Sequence, residues 1–119
     1  MYIKNIRDCH EFTAGDETIL RECLHPASSP CKTSYSLAHA VVFPGKESLP
    51  HILKTSEVYY ILDGEGIMHI DSEISNVVKD DVIYIPPGAV QYIKNIGSKK
   101  LRFLCIVDPA WKVEDEEIL

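Results

Sequence analysis

Gly45-Lys46-Glu47-Ser48-Leu49-Pro50-His51-Ile52-Leu53 leads into Glu57-Val58-Tyr59-Tyr60-Ile61-Leu62-Asp63-Gly64-Glu65-Gly66. Further on comes Asp80-Asp81-Val82-Ile83-Tyr84-Ile85-Pro86-Pro87-Gly88-Ala89-Val90-Gln91. Residues 58–62 and 82–85 are β-branched and aromatic runs of strand length, stopped by Asp63-Gly64 and Pro86-Pro87-Gly88. The pattern predicts strands separated by sharp turns. The turn at 63–66 between 58–62 and 67–70 predicts a hairpin.

The same pattern extends outward. Residues 18–24 and 35–43 alternate as strands do, ended by His25-Pro26 and Pro44-Gly45. On the second of these, Tyr35, Leu37, His39, Val41 and Phe43 share the more apolar face, with Ser36, Ala38 and Ala40 opposite. A short strand is expected at 75–78. Residues 90–95 and 101–107 are strands too, the latter apolar enough to be buried on both faces. Residues 1–16 contribute at most an edge strand at 2–6 and a turn at 14–16. The acidic segment 112–119 reads as a frayed helical turn or a disordered tail. About nine short strands and no amphipathic helix make an all-β sandwich or barrel. An immunoglobulin-type sandwich is disfavoured, because the single Trp and the cysteines lack its arrangement.

At 119 residues the chain is one domain, with a barrel core over about 35–108, N-terminal strands within 1–25 and the tail at 112–119. Its net charge of -6 and the absence of any basic patch argue against nucleic acid as a partner. No apolar run approaches the roughly 20 residues of a membrane span, and residues 1–8 lack a signal-peptide core. A cytoplasmic location with four reduced cysteines is the expectation. Cys9, Cys23 and Cys31, with His10 and His25, are too irregularly spaced to predict a metal site, and Cys105 reads as a small core residue.

Two spacings resemble the cupin motifs. Gly45, five residues, His51, then Glu57, six residues, Gly64 is similar to the first. Asp80, five residues, Pro86-x-Gly88, two residues, Gln91, three residues, Asn95 is similar to the second. The resemblance implies a cupin-type double-stranded β-helix, or jelly-roll barrel, and by family habit a homodimer. Leu53 stands where the family has the second His of motif one, Gln91 where it has the His of motif two, and Asp80 where it has a Gly. The metal ligands carried over are therefore His51, Glu57 and Gln91, for a divalent Zn, Fe, Mn or Ni ion.

By parity, Glu57, Tyr59 and Ile61 share a face, as do His51 with Leu53 and Gln91 with Ile93. Cupin-like pairing brings His51, Glu57 and Gln91 into the mouth. Glu57 is the catalytic candidate, as a base if no metal is bound. Tyr59 and His39 are the candidates for the substrate pocket, though a His on such a face is more often a packed, hydrogen-bonded core residue. His25 reads as structural and His69 as an exposed strand residue. Tyr84 and Tyr92 fall near the mouth on the same reading.

Two functions follow. One is a metal-binding cupin of dioxygenase, isomerase or epimerase type, acting on a small oxygenated metabolite. The other is a non-enzymatic module that binds a sugar or organic acid at a degenerate metal site. Either takes a small molecule as its partner.

Overall fold

The computed structural model describes all of residues 1–119. Eleven strands form two antiparallel sheets. In chain order they are β1 (Glu11–Thr13), β2 (Ile19–Leu24), β3 (Ser36–Val42), β4 (His51–Leu53), β5 (Ser56–Asp63) and β6 (Glu65–Ile70). They continue with β7 (Glu73–Val78), β8 (Val82–Ile85), β9 (Val90–Asn95), β10 (Leu101–Asp108) and β11 (Glu116–Ile118). One sheet runs β1-β2-β3-β10-β5-β8 and the other β11-β4-β9-β6-β7. From β3 onward the chain changes sheet at nearly every turn, which is the winding of a jelly roll. No helix is long and apolar enough to cross a membrane.

That winding corrects the hairpin expected at 58–70. β5 pairs with β10 and β8, while β6 pairs with β7 and β9. Asp63-Gly64 therefore carries the chain across the barrel rather than back along one sheet. Gly64 sits at φ 90°, and a Cβ there would lie 2.9 Å from the backbone of Lys100 and Leu101, so glycine is needed for the crossing. Asp80, at φ 73°, adopts a glycine-like conformation at another turn, and its carboxylate accepts the Tyr60 hydroxyl at 3.0 Å.

The core lies between the sheets. Ala40, Ile61, Ile93, Leu101 and Phe103 are fully buried there, with Tyr59 tilted against Phe103 at 4.5 Å between ring centres. Asn95, at the end of the second motif, pins the barrel. Its amide donates to the carbonyls of Val42 and Lys99, and its oxygen accepts from Gly97.

Three further expectations change. β10 buries only Leu101, Phe103, Cys105 and Val107, and turns Ile106 outward, because its sheet has one wet face. The segment expected as an edge strand at 2–6 leads instead into a short 3-10 turn, Ile6–Asp8. The acidic tail is neither frayed nor disordered, and only its first part is a helical turn. After a 3-10 turn at Val113–Asp115 it becomes β11, paired with β4 as Glu116↔Leu53 and Ile118↔His51.

Candidate functional site

Three strands bring inward-facing polar residues to one end of the barrel. β4 supplies His51, β5 supplies Glu57 and Tyr59, and β9 supplies Gln91, each 6% exposed or less. The register explains the meeting. His51 is opposite Gln91 across β4–β9, and the period of two keeps Leu53, Tyr59 and Ile93 on the same inner side.

A cavity of about 190 Å³ opens here between the sheets. Its walls are mainly apolar: Phe12, Leu20, Leu53, Phe103, Val107 and Trp111. His51, Glu57 and Tyr59 reach it from the barrel interior. Gln91 does not line it. Its amide oxygen accepts the Tyr59 hydroxyl at 3.1 Å, behind the wall.

Sequence reasoning missed Asp16, Trp111 and Glu116, which complete the rim. Asp16 accepts from the Thr18 amide at 3.1 Å and hydroxyl at 2.6 Å, a local turn that holds its other oxygen 3.6 Å from His51 Nε2. The His51 Nδ1–H donates to the Leu49 carbonyl at 2.7 Å, which fixes the ring and turns Nε2 inward. Trp111 is held at three points. Its amide donates to Ser36 Oγ, its carbonyl accepts from His25 Nε2 at 2.7 Å, and its indole N–H donates to Glu116 at 2.6 Å. His25, expected to be structural, thus positions a wall of the cavity. A Gly-Asp-x-Thr turn and a lone Trp are the only local signals that point to these residues.

The electrostatics centre on Glu57. Its Oε1 is buried with no hydrogen-bond partner. Burial pushes its carboxyl up to about 8; the Gln91 amide pulls it down, and the charges of Asp16 and Glu116 push it up further. Near neutrality Glu57 therefore carries its proton. Tyr59 is pushed well above the usual phenol range by burial and by Glu57, and stays a donor. The Cys105 thiol, also on the cavity wall, is pushed up by burial and stays un-ionised.

The other candidates lie elsewhere. His39 is on the outer side of its sheet, where its Nε2 accepts from Arg102 at 3.2 Å. It does not line the cavity; the small face of Ala38 and Ala40 turns inward instead. Tyr84 is exposed on β8. Tyr92 stacks on His69 at 4.0 Å on the outer face of β6 and β9, so His69 is partly covered.

A metal ion needs at least three protein donors here. His51 Nε2 and Asp16 Oδ2 stand together, but no group of three His, Cys, Asp or Glu side chains converges. Leu53 fills its corner with hydrocarbon and Gln91 spends its oxygen on Tyr59. The residues present do not fit a resident metal.

Residues 38–107 match the family model described as Cupin domain. Among curated proteins, an uncharacterized protein of Methanocaldococcus jannaschii is 46% identical over 109 residues, covering 91% of this chain and 86% of that one. An oxalate-binding protein of Thermotoga maritima is 35% identical over 51 residues, so the match spans 43% of this chain and 42% of that protein. Among solved structures, a cupin 2 conserved barrel domain protein of Salinispora arenicola aligns over 96% of this chain and 91% of its own. Its TM-score is 0.79 at 17% identity, a likeness of fold alone.

Proposed function

Since this chain belongs to the cupin family by the match over residues 38–107, we propose that it is a small-molecule-binding cupin. Its ligand lies in the barrel mouth against His51, Glu57 and Tyr59, and needs no resident metal. The observation that carries this reading is the unpartnered Oε1 of Glu57, buried beside an apolar cavity. A buried carboxyl without a partner is destabilising by itself. A ligand with one polar end and a compact apolar body satisfies the carboxyl and fills the space together. An apolar cavity of ~150 Å³ is known to accept benzene, so 190 Å³ suits a single ring with a short arm.

The name of the Thermotoga relative raises oxalate as a ligand. The mouth of this chain argues otherwise. Oxalate is a dianion, and no Lys or Arg lines the cavity, whereas the acidic Asp16, Glu22 and Glu116 do. With no metal to bridge it, a dianion has no counter-charge there.

A second reading, proton transfer, rests on the same carboxyl. A group held at about 8 is protonated near neutrality, so Glu57 suits a general acid rather than the base expected from sequence. Turnover through it falls as pH rises past 8.

Thermal unfolding of chelator-treated protein with compact single-ring molecules tests the binding reading. Ligand at 100 times its Kd adds about 2.7 kcal/mol, a rise of several degrees. A rise that appears only after zinc or manganese is restored counts against a metal-free site.

A further inference from the structure

The reading of the mouth as a metal-free ligand site leaves the chemical class of the ligand open. Around the cavity the charges have one sign. Asp16, Glu22 and Glu116 line it beside the protonated Glu57, and no Lys or Arg does. The single imidazole, His51, already faces Asp16 at 3.6 Å. The charges of Asp16 and Glu116 both reach Glu57. Fields of this kind favour a cation and repel an anion.

Two more observations narrow the class. Glu57 Oε1 is buried with no hydrogen-bond partner, on a residue that lines the cavity. An ammonium group brings up to three N–H donors to such a site, a hydroxyl brings one, and a carboxylate brings none. Among the apolar walls four residues are aromatic: Phe12, Tyr59, Phe103 and Trp111. Ring faces attract an organic cation, most strongly where water is excluded. A hydrated metal ion gains nothing from them. The gap between the edges of β7 and β8, lined by Met68, Ile74, Val82 and Tyr84, has a similar apolar character but holds no unpartnered buried polar atom.

We infer that the ligand of the barrel mouth is a small organic amine, bound as the ammonium ion. Its N–H groups meet Glu57 Oε1 within the field of Asp16 and Glu116, and its apolar body lies among Tyr59, Phe103 and Trp111. Glu116 has a second part in this arrangement, since its bond to the Trp111 indole holds that aromatic wall in place.

Three probes of matched size test the inference: benzylamine, benzyl alcohol and benzoate, titrated into chelator-treated protein by calorimetry at neutral pH. Benzylamine is expected to bind tightest, benzyl alcohol roughly ten-fold more weakly, and benzoate not at all. In Glu116→Gln the benzylamine affinity falls several-fold more than that of benzyl alcohol. Asp16→Asn gives the same inequality, and circular dichroism shows that each variant is folded. If benzyl alcohol or benzoate binds as tightly as benzylamine, or if both variants lower all affinities equally, the amine assignment is overturned while the ligand site stands. If none of the three binds, both the amine and the metal-free site are overturned.

Discussion

His51 and His39 are both buried, at 3% and 5% exposure, on strands of opposite sheets. His51 points into the barrel, its Nδ1 tied to a carbonyl and its Nε2 turned to a carboxylate beside a cavity. His39 points out, bonded by Arg102 and opposite Arg21 on β2, which ties down the N-terminal segment through the carbonyls of Ile6, Arg7 and Cys9. Around His51 one carboxyl oxygen, Glu57 Oε1, has no partner. Around His39 the polar groups hold each other. Burial is the same in both regions, and only the inner one leaves an acceptor for something that is not protein.

The comparison breaks most visibly if the missing donor is restored. Leu53→His places a second imidazole on the inner face beside His51 and Glu57. After chelation and dialysis against zinc, the variant should hold about one zinc per chain by elemental analysis, as three-donor sites do. Wild type should hold none.

Next in size is the opposite pH response of the two regions. Glu57 has its ordinary value of 4.5 in the unfolded chain and about 8 in the fold. Between those values the unfolded chain has released a proton that the fold retains, so stability falls as pH rises through that window. The loss is at most about 5 kcal/mol. His39 is lowered below 6.5, by burial first and then by Arg102 and Arg21. Below 6.5 the unfolded chain takes up a proton that the fold refuses, so this region loses stability as pH falls. Denaturant unfolding across both windows should show Glu57→Gln removing the alkaline slope and leaving the acid one.

Smaller effects separate the regions further. Tyr59→Phe strips the donor from the buried Gln91 oxygen and is expected to cost roughly 1–3 kcal/mol. Arg102→Met breaks the bond to His39 but keeps the aliphatic stem. It should cost about 1 kcal/mol and leave ligand affinity unchanged.

Much of this was legible in the sequence because period two is strict. Once 51, 57 and 91 are assigned to strands, their inward turn follows, and so does that of Leu53 and Tyr59. The rest was hidden for physical reasons. A Gly turn at 64 looks alike whether the chain folds back or crosses to another sheet, and only the partners of β5 and β6 decide it. The apolar face of residues 35–43 misled for His39. Opposite the bulky Tyr59 and Phe103, the barrel has room for Ala38 and Ala40, so volume overrode polarity. Asp16 and Glu116 lie in segments with no motif. A run of acids reads as solvated until Trp111 and the β4 edge capture it.

The central claim is that Glu57 faces a metal-free ligand site. It is tested most directly by a crystal structure of chelator-treated protein soaked in benzylamine, with anomalous data collected from a second crystal grown in zinc. The account predicts ring density among Tyr59, Phe103 and Trp111, with a polar atom on Glu57 Oε1 and no anomalous peak at His51. An anomalous peak shared by His51 and Glu57, with the ring absent from the cavity, would contradict it.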